Sequence, residues 1–311
     1  MPASWSGSLA EPQPHAPDDQ WRFANPGRML FTAADRFVAD KLALLGRHGP
    51  APTPALATLF EHLDQAGTRP SLLATRAGVT RSSMAELIAR ATALGLVERR
   101  PDPSDARAHL VAFTPAGLRL QQRLRAAVLG AERAMTRATG AAFVGRLRAR
   151  LADYLAAVAP SIAPDNPAWR RWSIGRALTA AARLFARDVL AVVRLHGFAE
   201  VNEGVLGLCR LLDRDGTRLT ELAARARMTK PAMAELVARA ELIGLVERAA
   251  DPCDGRARAI RFTPRGLLLL DAARAGVAEA EGRLASVIGG TFVAELMERL
   301  SAYAAPPRAS A

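Results

Sequence analysis

A segment of about 140 residues occurs twice in this 311-residue chain, and that duplication limits the available folds more than any other feature. Residues 80–99, TRSSMAELIARATALGLVER, return at 229–248 as TKPAMAELVARAELIGLVER, identical at thirteen of twenty positions with an offset of 149. The offset holds from Leu63-Asp64, matched by Leu212-Asp213, to Tyr154, matched by Tyr303. Upstream it becomes 148. There Trp21-Arg22 matches Trp169-Arg170, Gly27-Arg28 matches Gly175-Arg176, and His48-Gly49 matches His196-Gly197. One residue has slipped between Pro50 and Pro54. A period this long is no solenoid, so each copy reads as a whole domain.

The expected order along the chain is a tail over residues 1–20, a first repeat over 21–159 and a linker over 160–168. A second repeat over 169–304 and a short tail over 305–311 follow. The linker carries Pro160, Pro164 and Pro167, which makes it short and stiff. The N-terminal tail, with Pro2, Pro12, Pro14 and Pro17 among acidic and small residues, has neither a basic start nor an apolar run. It reads as disordered rather than as a signal peptide. No stretch approaches the roughly eighteen apolar residues of a membrane span, so a cytoplasmic protein with no membrane partner is expected.

Each repeat has the same local signals. In the first, Leu30, Phe31, Ala34, Phe37, Val38, Leu42 and Leu45 mark a long helix, and Leu56, Leu59, Phe60 and Leu63 a second one. A short helix SLLATRA then leads through Gly78 to a helix capped by Thr80. Met84, Leu87, Ile88, Ala91 and Leu94 on that helix fall at i, i+3, i+4, i+7 and i+10, which predicts one buried stripe ending at Gly95. Two short helices joined by a glycine-bearing turn form a helix-turn-helix, whose second member is the recognition helix. Residues 96–100 and 109–113 read as two strands around a turn rich in Pro and Asp, a β-hairpin wing. Thr114-Pro115, repeated as Thr263-Pro264, starts a long helix, and a last helix runs through Phe143, Leu147, Leu151 and Tyr154. The expected fold is mainly α with small β-wings: two tandem winged helix-turn-helix domains.

The net charge of +12 suits a polyanionic partner, although an arginine-rich proteome would show the same excess. Off the buried stripe, Arg81, Ser82, Ala85, Glu86 and Arg90 are placed to face a DNA major groove. Ser83, in the first turn, either holds a phosphate or serves as ordinary helix-start chemistry. Glu86 with Arg90, repeated as Glu235 with Arg239, also reads as a simple i,i+4 pair. In the second repeat Lys230 and Arg239 occupy the corresponding positions, while Pro231-Ala232 replaces Ser82-Ser83. Arg99, Arg100, Arg248 and Arg258 flank the wings as phosphate contacts.

The segments LATRAGVTRSSM and LGLVERRPDPSDARAHLVAFTPAG of the first repeat resemble the multiple antibiotic resistance regulator (MarR) family of winged-helix repressors. So do LTELAARARMTKPAM and IGLVERAADPCDGRARAIRFTPRG of the second. GLVER, DPxDxRA and FTPxG occur in order, twice. The resemblance implies that Arg107 and Arg256 enter a minor groove while Asp105 and Asp254 hold their guanidinium groups. It also implies homodimers with interlocked terminal helices. Because both protomers here share one chain, a monomer acting as a pseudo-dimer is expected. A small aromatic or lipophilic effector is implied too, without a fixed motif to name its residues.

Other chemistries lack a site. Asp102 and Asp105 have no repeated oxygen ligands beside them for a cation. The five histidines do not cluster; His48 and His196 fit helix ends, and His62 fits core or pocket lining. Cys209 reads as core, and Cys253, in the second wing, is matched by Ser104, which argues against paired-thiol sensing. No nucleophile–base pattern or phosphate loop is present, so no enzyme and no cofactor are expected. The function indicated is a sequence-specific double-stranded DNA-binding regulator of the ligand-responsive repressor type. The alternative is a protein-interaction or architectural DNA-binding factor without a specific operator.

Overall fold

The computed structural model describes residues 17–46, 53–77, 79–158, 173–226, 228–250 and 258–305. They pack into two compact units. One takes residues 34–145 with 173–175, and the other takes 17–33, 146–158 and 176–305. Each unit is therefore built from residues of both repeats.

The 34–145 unit holds the end of α1 (Pro26–Gly46), then α2 (Pro54–His62), α3 (Pro70–Ala77) and α4 (Arg81–Ala93). Strands β1 (Val97–Asp102) and β2 (Asp105–Phe113) follow, then α5 (Pro115–Thr139) and the start of α6 (Ala141–Val158). Its core joins Leu45 of α1, Leu59 and Phe60 of α2, Leu73 of α3, Met84 and Ile88 of α4, Val111 and Phe113 of β2, and Leu124 of α5. Phe60 and Phe113 meet at 5.1 Å between ring centroids, tilted by 56°, a favourable aromatic geometry. The recognition helix α4 begins where Thr80 Oγ1 accepts from the Ser83 amide at 3.1 Å. Met84, Ile88 and Ala91 form its buried stripe. Leu94, expected to extend that stripe, is 57% exposed. It is the C-cap residue, with φ −83° and ψ 1°, so the helical period no longer points it inward. Gly95 then takes φ +66°, the left-handed turn that a side chain resists.

The wing is longer than the sequence pattern indicates. β1 and β2 stay paired from Val97↔Phe113 out to Asp102↔Asp105, with an irregularity between Pro101 and Asp102 and only Pro103-Ser104 left as the turn. At its base Thr114 caps α5, accepting from the Gly117 amide at 3.1 Å and donating to the Gly95 carbonyl at 2.6 Å. A Cβ on Gly117 would stand 1.9 Å from the Leu96 carbonyl oxygen, so the glycine of FTPxG lets the helix start press onto the strand.

In the 176–305 unit a 3-10 turn (Pro17–Arg22) and the start of α1 join the end of α6 and α7 (Ile174–Leu195). Residues 17–20, expected in the tail, thus carry structure. Helix α8 (Glu203–Leu211), strand β3 (Thr217–Arg218), α9 (Leu219–Ala226) and α10 (Lys230–Leu242) follow. Then come β4 (Val246–Ala250), β5 (Arg258–Phe262), α11 (Pro264–Ile288) and α12 (Gly290–Ala304). The local chemistry repeats: Thr263 caps α11, accepting from Gly266 at 3.0 Å and donating to the Gly244 carbonyl at 2.6 Å. The sheet order is β3-β5-β4, all antiparallel. Its two-residue third strand, too short to show in a sequence pattern, corresponds to an isolated bridge Thr68↔Val111 in the 34–145 unit. An arginine sets each helix-turn-helix elbow. Arg76 donates to the His62 carbonyl at 3.0 Å and Asp64 at 2.7 Å, and Arg225 to the Leu211 carbonyl at 2.8 Å and Asp213 at 2.7 Å.

Candidate nucleic-acid interface

Because Met84, Ile88 and Ala91 point into the core, the opposite face of α4 carries Arg81, Ser82, Glu86 and Arg90 into solvent. Glu86 and Arg90 make no ion pair among the described residues, and neither do Glu235 and Arg239 on α10. The i,i+4 pairing open to them from spacing is not made, and the cations stay available. Ser83 is engaged at the helix start: its amide caps onto Thr80, whose hydroxyl also donates to Ser83 Oγ at 2.9 Å. Arg81 lines an open cavity of about 430 Å³ together with Arg69, Pro70, Ser71, Ala108 and His109. Arg81 and His109 give this opening a basic lining, while the Arg69 guanidinium is paired with Asp102.

The wing tip is organised by Asp102, which the sequence offered only as a rejected cation ligand, and by Arg69, which sequence reasoning did not single out. Asp102, 6% exposed, accepts from the Ser104 amide at 2.8 Å, the Ser104 hydroxyl at 2.7 Å and Arg69 Nε at 2.6 Å. The Ser104 hydrogen bonds, followed by that of Arg69, hold its carboxyl down at about 2. Arg69 precedes α3 closely in the chain, so it ties the helix-turn-helix to the wing. The signal was present in the duplication, since Arg69 recurs as Arg218 and Asp102 as Asp251.

Asp105 acts differently from the role implied by resemblance. Its Oδ1 accepts from the backbone amide of Arg107 at 3.1 Å, and its Oδ2 lies 3.7 Å from Arg69. It shapes the turn, and the Arg107 guanidinium is exposed without a partner among the described residues. Arg99 on β1 is equally exposed. Arg100 pairs with Glu98 on its own strand, Nη2 to Oε1 at 2.6 Å, an exposed pair of small energy.

On α10, Met233, Val237 and Ala240 are buried, and Lys230 and Arg239 are exposed. Thr229 caps the helix from the Ala232 amide at 3.4 Å, with Pro231 in the first turn. Arg248 Nε lies 3.2 Å from both oxygens of Glu241, and Arg258 donates to the Arg248 carbonyl at 3.3 Å. Asp254, Arg256 and Cys253 lie outside the described residues, as do His48 and the linker. His196 does meet a helix end, its Nδ1 2.9 Å from the Val192 carbonyl.

Residues 48–108 match the model of the MarR family, a stretch that covers α2, α3, α4 and β1 and enters β2. This stretch is similar to the MarR family. The matched helices and hairpin are the same elements that present Arg81, Arg90 and Arg107 to solvent. Among solved structures, the PcaV transcriptional regulator from Streptomyces coelicolor, in complex with its natural ligand, is 26% identical over 33% of this chain and 74% of its own. Its TM-score is 0.26. Among curated proteins nothing matches the chain. No described helix is long and apolar enough to cross a membrane, and no described group of three or more His, Cys, Asp or Glu side chains could hold a metal ion.

Proposed function

We propose that the chain is a sequence-specific double-stranded DNA-binding transcriptional regulator of the MarR type, carrying two recognition helices, α4 and α10, and two wings. The observation that carries this reading is the exposed face of each recognition helix. Arg81 and Arg90 on one, and Lys230 and Arg239 on the other, stand in solvent beside glutamates that leave them unpaired. In this reading α4 and α10 each enter a major groove, while Arg107 and Arg256 reach flanking minor grooves. His109 meets a phosphate beside Arg81. The chain acts as a monomer in which the two repeats replace the two subunits of a homodimer, and a small-molecule effector sets its affinity for DNA.

The two half-sites differ in this scheme. Arg81-Ser82 offers a bidentate fork and a free hydroxyl, whereas Lys230-Pro231 offers a point charge and one first-turn amide donor fewer. The test is selection of bound sequences from a random duplex pool, followed by anisotropy titrations at several salt concentrations. An asymmetric consensus is expected, with affinity falling steeply as salt rises, by about 0.9 logs per phosphate contact per log of salt. Arg107→Ala combined with Arg256→Ala is expected to weaken binding while leaving the thermal midpoint in place. Binding that ignores salt, or a flat sequence profile, overturns the reading.

A further inference from the structure

Glu86 on α4 and Glu235 on α10 are exposed, and neither carboxylate makes a hydrogen bond or ion pair among the described residues. Their place around each helix is fixed by what is buried. At about 100° per residue, Glu86 stands about 190° from the middle of the Met84–Ile88–Ala91 stripe, on the crown of the outward face. Glu235 has the same place over Met233, Val237 and Ala240. Ser82 and Arg90 lie about 40° to either side of Glu86. The position farthest from the core is therefore a carboxylate, flanked by a hydroxyl and a guanidinium.

A carboxylate on that crown is a poor choice for a surface that only follows phosphates. Like charges cost affinity, and Arg90 and Arg239, four residues on, do not pair with the glutamates. The charge becomes favourable where a base amino group donates to it. In the major groove those donors are cytosine N4 and adenine N6, while guanine and thymine present acceptors. The adenine amino group lies between two acceptors, its own N7 and the O4 of its thymine. Cytosine N4 has the guanine O6 on one side only, so it is the edge a carboxylate fits. The duplication adds a second observation. Arg81-Ser82-Ser83 has become Lys230-Pro231-Ala232, yet glutamate stands on the crown of both helices.

Within the DNA-binding reading above, on which this rests, we propose that Glu86 and Glu235 select cytosine, one in each half-site, by accepting a hydrogen bond from its N4 amino group. Arg90 and Arg239 beside them take phosphate. Each carboxylate also repels the acceptor edges of guanine and thymine, so it selects by exclusion as well as by attraction. The two half-sites share this one position and differ at those faced by residues 81–82 and 230–231.

Selection from a random duplex pool, with the full chain and with two glutamine variants, tests this. The unaltered chain is expected to select cytosine at equivalent positions of both half-sites. Glutamine grips adenine through N6 and N7, so Glu86→Gln should change that base to adenine in one half-site and leave cytosine in the other. Glu235→Gln should do the converse. Both side chains are exposed and unpartnered among the described residues, so the variants keep the fold. In anisotropy titrations on the selected duplex, exchanging the cytosine faced by Glu86 for thymine should cost the unaltered chain about tenfold in affinity. The same exchange should cost Glu86→Ala less than about twofold, because alanine removes both the acceptor and the repulsion. An unchanged consensus in the glutamine variants, or a tenfold penalty that survives in Glu86→Ala, overturns the proposal and leaves the regulator reading intact. Absence of any consensus with the unaltered chain removes the regulator reading and this proposal with it.

Discussion

Replacing Arg22 with Ala should destabilise the 176–305 unit by about 3 kcal/mol, although this residue stands near the other end of the chain. Arg22 is 2% exposed. Its Nη2 donates to the Cys209 carbonyl at 2.6 Å and the Leu212 carbonyl at 2.5 Å, and its Nη1 to Asp19 at 3.0 Å. Those carbonyls lie at the C-terminal end of α8, where the helix dipole also favours a cation. The substitution leaves two buried acceptors without a charged donor, and bonds to charged groups contribute about 1.5–3 kcal/mol each. Against that, an arginine whose Nε is buried without a partner no longer has to be desolvated. Asp19 is not orphaned, because Arg214 Nε lies 3.1 and 3.2 Å from its two oxygens. A cost near the lower end of the two-bond sum follows, about 3 kcal/mol. Arg214→Ala is the control. That pair is 43% exposed on the arginine side, so its loss should cost no more than about 1 kcal/mol. Urea unfolding followed by circular dichroism measures both. If Arg22→Ala costs less than about 1 kcal/mol, or no more than Arg214→Ala, the claim that a buried cation fastens the N-terminal turn to α8 is wrong.

Two further outcomes are expected. Tyr154→Phe should leave the protein as stable or raise stability by about 1 kcal/mol, because the phenol is fully buried with no partner for its hydroxyl among the described residues; a loss above about 1 kcal/mol would reveal a bond to that group. Burial, followed by the Asp188 carboxylate, pushes that phenol up to about 12, so it stays neutral throughout the measurement. The Asp102 carboxyl, held near 2 in the folded wing, lies below its ordinary value near 4 when unfolded. Its stabilising contribution is therefore complete above about pH 4 and disappears as pH falls through about 2. Carboxyl-carbon NMR should show its midpoint near 2, and an ordinary midpoint would show that the Ser104 and Arg69 bonds do not form.

What could be read from the chain alone was what depends on near neighbours. The stripes Met84–Ile88–Ala91 and Met233–Val237–Ala240 follow from a 3.6-residue period, and the Thr caps from groups three residues apart. The glycine of FTPxG was legible as a motif, while its reason, the Leu96 carbonyl against the helix start, needed the fold. Leu94 failed the pattern because helix termination is decided within a single residue. Glu86 and Arg90 had the spacing for an ion pair without making one, since an exposed pair gains too little to fix two long side chains.

The residues that organise the sites were the least legible. Arg69 meets Asp102 across 33 positions, and Arg22 meets the carbonyls of Cys209 and Leu212 across 187 and 190. Sequence alone determined that there are two helix-turn-helix and wing segments with basic recognition helices, because turn, cap and periodicity are short-range. Only tertiary structure decided which arginines are spent on structure and which stay exposed. A guanidinium's role depends on which acceptors the fold brings within 3 Å of it, and chain distance does not limit that choice.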